Sequence, residues 1–400
     1  MVLQRHGHRG KAVLTFTLAD VGYLTSDEGV AALAEVAELP LTDRVAAVAA
    51  VRARYGERAP ALIETTLLRR RAAAKLPGAA GWLFTDEALQ QATASAVAEH
   101  RGRRLAGRAV HDATCSIGTE LAALQGVAAV LVGSDIDPVR LAMARHNLGA
   151  AGPLLCRADA LRPITADTVV IVDPARRSGG SRRFDPKAYT PGLDQVLEVY
   201  RGRDLVVKVA PGVDFAAIAE MGFAGEIEVT SLGGSVREAC LWGGSLTQAG
   251  VRRRASVLDT GEQLTDADPD DCAVGPAGRW IVDPDGAVVR AGLVRQYAAR
   301  HRLWQLDRDI AYLTGDTVPD GMRGFEVLDQ LPFTEKKLRQ TLSALDCGAL
   351  EILVRGVGVD PDALRRRLRL RGSQALSVVI TRIGTGRDSR ASAFVCRASR

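Results

Sequence analysis

At 400 residues the chain is too long for one ordinary hydrophobic core, and about two to four domains are expected. Apolar residues make up 47% and charged residues 25%, the balance of a soluble globular protein, and no apolar run approaches the roughly 18 residues needed to cross a bilayer, so no membrane association is expected. The formal net charge is only +5, but it is unevenly spread: from Glu351 to Arg400 there are eleven arginines against four acids, a basic balance that suits a phosphate backbone.

The first residues include Arg5, His6, His8, Arg9 and Lys11, and no uninterrupted apolar run with a small-residue cleavage site follows, so a secretory signal is not expected. Cysteines 115, 156, 240, 272, 347 and 396 are scattered, with no CxxC pair and no histidine at ligand spacing. That argues against a disulfide framework and against a metal site, and makes the reducing cytoplasm the expected compartment. No oligomeric state can be read from the sequence.

In chain order, residues 27–76 carry apolar positions every three to four residues, which predicts helices. Lys75-Leu-Pro-Gly78 is a break, and Thr85, followed by Asp86 and Glu87, reads as the N-cap of a helix running to about Arg101. From about 108 the pattern changes to short apolar runs at 108–112, 128–134, 168–172, 205–210, 226–230 and 238–242, separated through most of their length by helical stretches. This is the signature of a mostly parallel sheet covered by helices, with an antiparallel last strand because the final two runs lack a long helix between them. The pattern ends around Ala249–Arg254. Short strands are expected at Trp280–Asp283 and Ala287–Arg290 around the turn Asp283-Pro-Asp-Gly286, then a helix near 291–301. The tail reads as a strand at 349–355, a helix capped by Asp360 with Pro361 in its first turn, and strands at 375–383 and 391–396. The expected fold class is α/β: a helical N-terminal domain (1–95), a Rossmann-like domain (96–250), a small β-rich connection (251–335) and a small α+β domain (336–400).

Chemistry concentrates at the strand ends. In Ala109-Val-His-Asp-Ala-Thr-Cys-Ser-Ile-Gly-Thr-Glu120 a strand ends at Asp112, and small residues lead through Gly118 into a helix, so backbone can approach a ligand. About twenty residues on, Val130-Leu-Val-Gly-Ser-Asp-Ile-Asp-Pro138 puts Asp135 where an acid can hold ribose hydroxyls, while Asp137 has a sufficient task as a helix N-cap. In Cys156-Arg-Ala-Asp-Ala160, Asp159 is placed to accept from an adenine amine or to serve as a turn residue. With one glycine in the first turn, neither G-x-G-x-x-G nor G-x-x-x-x-G-K-[ST] is present, and a ligand with ribose and adenine but no phosphate fits better than a dinucleotide.

Asp112…Gly118, Asp135, Asp159 and the later Val172-Asp-Pro-Ala-Arg-Arg177 resemble, in order and spacing, the motifs of class I S-adenosylmethionine-dependent methyltransferases. Phe84-Thr85, Gln90-Gln-Ala-Thr93 and Leu350-Glu-Ile…Arg355-Gly356 resemble a bacterial group related to trimethylguanosine synthase that carries a C-terminal THUMP-like domain. The resemblance implies S-adenosyl-L-methionine as cofactor, with Asp112–Gly118 (Cys115 included) around its methionine part, Asp135 at the ribose and Asp159 at the adenine, and with Ile136 and Ala160 as further cofactor-binding candidates. Cys115 also reads as a small packing residue, and Ser116 stands where the usual loop has its first glycine.

In amino-methyltransferases of this fold, an acid or amide after the fourth strand and a backbone carbonyl accept from the reacting amine, and an aromatic stacks on the base. Asp173 and Pro174 are the corresponding catalytic candidates. The aromatic is missing after Pro174, with Phe184 or Tyr189 as possible substitutes. Arg176, Arg177, Arg182 and Arg183 are candidate phosphate contacts or a solvated loop, and Lys208 at the end of the fifth strand is a further substrate-binding candidate. Arg237-Glu238 reads as a structural pair. These features together point to a methyltransferase for a base in structured RNA (tRNA or rRNA). A protein or small-molecule methyltransferase and a non-catalytic RNA-binding protein with a vestigial site are the alternatives.

Overall fold

The computed structural model describes residues 14–40, 44–176, 189–384, 386 and 389–399, which divide into two compact units. Among these residues no helix is long and apolar enough to cross a membrane, and no group of three or more His, Cys, Asp or Glu is arranged to hold a metal ion.

The first unit comprises the chain to Gly225 together with Glu238–Gln248. It opens with helices α1 (Leu18–Leu24), α2 (Asp27–Ala37), α3 (Arg44–Tyr55) and α4 (Ala59–Ala72), the first two started by the hydroxyls of Thr17 and Ser26. The Thr85 hydroxyl accepts from the Ala88 amide as the sequence suggests, but the helix stops early and two form instead, α5 (Asp86–Gln91) and α6 (Ser95–Arg104). No Gly or Pro marks this break. Ala92 turns to extended backbone, and a hydrogen bond from Lys208 to the hydroxyl of Thr93 fastens the intervening residues.

The sheet follows: β1 (Ala109–Asp112), α7 (Thr119–Leu124), β2 (Val130–Asp135), α8 (Pro138–Leu148), β3 (Leu154–Arg157), β4 (Val169–Val172), the short β5 (Ala175–Arg176) and β6 (Tyr189–Thr190), α9 (Leu193–Val199), β7 (Leu205–Val209) and α10 (Phe215–Glu220). Next come β8 (Glu226–Leu232), which belongs to the second unit, and β9 (Ser235–Gly243), which belongs to the first from Glu238 on. Within the first unit the spatial order is β3-β2-β1-β4-β7-β9, parallel except for β9, which runs antiparallel to β7. The expected Rossmann-like sheet with an antiparallel last strand is what forms. Strand order reverses between β1 and β4, the switch point beyond which ligands bind in such sheets. Val110, Val169, Ile171, Val206 and Trp242 are buried in one core, while Ile117 and Met143 share a second core with the N-terminal helices.

The second unit comprises Glu226–Arg237 and Ala249–Arg400. In it β10 (Arg253–Val257) pairs parallel to β8, and β11 (Glu262–Thr265) pairs antiparallel to β10, so strand pairing continues where the sequence pattern ends. The chain continues through β12 (Trp280–Val282), α11 (Gly286–Ala291), α12 (Val294–His301), β13 (Trp304–Asp307), β14 (Ile310–Gly315), β15 (Gly324–Pro332), α13 (Glu335–Ala344), β16 (Cys347–Arg355), α14 (Pro361–Leu368), β17 (Gln374–Ile383) and β18 (Arg390–Ala398). The strand expected at Ala287–Arg290 is helix instead. The Asp285 carboxylate accepts from the Ala287 amide, so the Asp-Gly pair works as a helix cap rather than as a hairpin turn. These strands form a seven-stranded sheet, β13-β14-β12-β15-β18-β17-β16. At its C-terminal part Asp360 caps α14 as expected.

Candidate functional site

Asp112, Asp135, Asp159 and Asp173, from four different strand ends, line one cavity of about 450 Å³ in the first unit. The register explains part of this: Asp112 is level with Gly133 and Ile171, and Val172 with Val207, so the carboxyl ends of β1, β2, β4 and β7 finish at nearly one height. Cys115, Ile136, Ala160 and Lys208 line the same cavity, whereas Gly118 and Pro174 do not.

The loop after β1 is fastened to β2 by Asp135. One of its oxygens accepts from the Ser116 amide (2.9 Å) and the other from the Asp137 amide (2.9 Å), which fixes the carboxylate and the loop together. Ser116 has φ +50°, the left-handed conformation that glycine adopts freely and other residues adopt at a cost of about 1–2 kcal/mol. The substitution therefore leaves the glycine-type loop in place. Gly118 has φ +89°, and a Cβ there would lie 2.8 Å from Leu148 Cδ1, so its glycine is needed for helix packing. Cys115 is buried against Leu121, Ala144 and Leu148, and burial followed by Asp112 and Asp135 pushes its thiol well up, which suits packing rather than nucleophilic attack. Asp137 caps α8 through the Val139 and Arg140 amides, a contribution of about 1 kcal/mol.

Beneath the cavity runs a chain of alternating charges. Lys208 Nζ is 2.5 Å from Asp173 Oδ2 and 3.9 Å from Glu120 Oε2, and donates to Thr93 Oγ1 at 2.6 Å. Glu120 accepts both arms of the Arg101 guanidinium (2.6 and 2.7 Å), and Arg101 also pairs with Glu238. Burial alone would lower Lys208, but Asp173 and Glu120 hold it above the usual lysine range. Burial alone would likewise raise Glu120, yet Arg101 keeps it below the usual carboxylate range. Among the described residues no cation forms an ion pair with Asp112, and burial first, then Glu120, push it up to about 8. The expected Arg237–Glu238 pair does not form, because Glu238 points inward to Arg101 while Arg237 donates to the Leu232 carbonyl.

Of the proposed reaction-centre residues, Asp173 is held from behind by its own amide, which donates to Thr114 Oγ1 (2.7 Å). Pro174 is buried. Arg176 contributes backbone pairing with Tyr189, and Arg177, Arg182, Arg183 and Phe184 lie outside the described residues. Tyr189 cannot serve as a stacking ring: it is buried, and its hydroxyl accepts from the Ala210 amide. Among the described residues no aromatic ring lines the cavity. At the other end, Ile136 keeps 63% of its surface exposed beside Asp135, and Asp159 is exposed with one oxygen bound to the Leu161 amide.

Three contributors escaped the sequence reading: Arg101, Glu120 and Thr93. A signal existed for the first. Arg101 falls on the same helical face as Val97 and Ala98, where a charge is out of place unless it is paired.

A family model described as THUMP domain-like matches residues 322–398, and a model for a domain of unknown function matches residues 17–72. An uncharacterized S-adenosylmethionine-dependent methyltransferase of Mycobacterium tuberculosis H37Rv is 68% identical over 358 residues, 88% of this chain and all of the relative. Its counterpart in strain CDC 1551 matches equally. Among solved structures, a Porphyromonas gingivalis W83 protein provisionally assigned as a methyltransferase has a TM-score of 0.73 at 17% identity, covering 97% of this chain and all of that one, which establishes a shared fold.

Proposed function

The chain belongs to the S-adenosylmethionine-dependent methyltransferases, and from that premise we propose that its substrate is structured RNA, a tRNA or rRNA. The cavity's donor set suits this cofactor. Among the described residues its lining carries four aspartates and an exposed apolar side chain, and the two cations there, Arg140 and Lys208, are each paired with carboxylates, a set that suits hydroxyls, amines and a flat base. In this reading Asp135 would hold the ribose, Ile136, Ala160 and Asp159 the adenine, and the Asp112–Gly118 loop the methionine part. When bound, the cofactor supplies an electrophilic methyl group on a sulfonium. Asp173, 40% exposed and anchored through its amide, is the group poised to take a proton from the acceptor. The rest of the contribution is position, from a loop fixed by Asp135 and a lysine fixed by three neighbours.

One observation carries the RNA reading. In the THUMP domain-like segment, Arg369, Arg371, Arg382, Arg390 and Arg397 are exposed with no ion-pair partner among the described residues. Such guanidinium groups are available for phosphates. The test is transfer of labelled methyl from S-adenosylmethionine into an extract of cells deleted for this protein, then separated into RNA, protein and small-molecule fractions, alongside RNA binding across a salt series. Label in RNA, with affinity falling steeply in salt, is expected. Label in the protein or small-molecule fraction would end the RNA reading. Asp135→Ala should weaken cofactor binding about 10- to 100-fold by calorimetry, while Asp173→Ala should lose about 100-fold or more in turnover and keep that binding.

A further inference from the structure

The charged pair at the reaction centre offers one acceptor and one donor side by side. Asp173 presents a carboxylate, and Lys208, 2.5 Å away, presents an ammonium. Lys208 has three N–H donors, of which one is directed to Asp173 and one to Thr93, while Glu120 at 3.9 Å is beyond hydrogen-bond distance. Both side chains line the cavity.

An exocyclic amine of a base fits this pair poorly. Its hydrogens could satisfy Asp173, but its lone pair is delocalised into the ring, so it accepts nothing from Lys208 and would meet an ammonium with the wrong polarity. Among the described residues a flat base finds no ring to stack on, since none lines the cavity and Tyr189 is committed to the core, while Phe184 lies outside them. A hydroxyl matches on every count. It donates its hydrogen to Asp173, accepts from Lys208 with one lone pair, and keeps the second for the methyl carbon. Within an RNA chain the hydroxyl that meets this description is the ribose 2′-OH, itself both donor and acceptor.

We propose that the methyl acceptor is a ribose 2′-hydroxyl, oriented jointly by Asp173 and Lys208. This rests on the RNA reading above. In the transfer, the hydroxyl oxygen forms the new O–C bond, the C–S bond breaks with its electron pair remaining on sulfur, and the hydroxyl proton passes to Asp173 and on to solvent. Lys208 enters the transfer as an ammonium, held in that form by Asp173 and Glu120. Arg101 contributes as a positioning residue, by keeping Glu120 charged beneath the lysine.

The experiment uses the full chain, methyl-labelled S-adenosylmethionine and an extract of cells deleted for this protein, from which RNA is afterwards separated from protein and small molecules. The RNA is then hydrolysed with alkali, which cleaves only where a free 2′-OH remains. Label in alkali-resistant dinucleotides, with the mass gain on the pentose fragment, is expected. Label in mononucleotides with the gain on the base would overturn the proposal and leave the RNA reading standing, whereas label outside RNA would overturn both. Lys208→Met should lower turnover about 100-fold, while S-adenosylhomocysteine affinity by calorimetry stays within about threefold. Thr93→Val, a milder change, should cost about tenfold in turnover. Unchanged turnover in either folded variant would overturn the role of Lys208.

Discussion

The same chemical pair, an arginine fork on a glutamate, occurs in both units of this protein and has opposite meaning in each. In the first unit the Arg101 and Glu120 side chains are 2% and 6% exposed, while in the second Arg323 and Glu351 are joined as closely but are 45% and 39% exposed. Inside, each partner has given up water, so neither can be removed without stranding a charge. Outside, water and salt compete for both, and a guanidinium can exchange its carboxylate for a phosphate at little cost. The buried chain is therefore suited to setting geometry, and the exposed arginines to meeting a polyanion.

The sharpest way to break that contrast is Arg101→Met. It should destabilise the first unit by about 3–5 kcal/mol in chemical denaturation, because Glu120 and Glu238 lose their common cation. A loss below about 1 kcal/mol would place the buried pair in the same class as the surface one.

Asp112 sharpens the comparison through pH. Its folded value of about 8 stands above the ordinary 3.8, so the folded state retains a proton that the unfolded chain has released. Stability from this group is fully present at low pH, declines as pH rises towards about 8, and levels off beyond. Asp112→Asn keeps the neutral shape, so thermal melts should show the variant gaining on the natural chain between about pH 4 and 8, then holding a constant lead. A constant difference across that window would mean that Asp112 is ionised in the fold.

Ser116→Gly tests backbone rather than charge: releasing a left-handed serine should stabilise the first unit by up to about 1 kcal/mol, read from the denaturation midpoint. The smallest effect belongs to the surface. Arg323→Ala should cost less than about 1 kcal/mol, and the cost should shrink further in high salt.

Much of the fold was legible because it depends on local pattern. The apolar runs place β1, β2, β4 and β7, and the acids at successive strand ends mark Asp112, Asp135 and Asp159 as a set, to which the resemblance to methyltransferase motifs adds Asp173. Caps at Thr85, Asp137 and Asp360 were readable for the same reason: a side chain bonding an amide two or three residues on is a short-range event. What could not be read depends on partners distant in the chain. The helix expected from Thr85 to Arg101 breaks at Ala92 with no Gly or Pro to announce it, and the bond that fastens Thr93 comes from Lys208, 115 residues away. Glu238 beside Arg237 looks like half of a local pair, yet it turns to Arg101, 137 residues earlier.

The sequence by itself determined the strand-end acids, the class of sheet and the basic tail, since periodicity and capping are properties of neighbouring residues. Only the tertiary structure decided that Lys208 sits on Asp173, that Tyr189 is spent in the core, and that Ala287–Arg290 is helical. Those outcomes turn on desolvation and on which buried charge or hydroxyl finds a partner, and both are settled only when distant segments pack together.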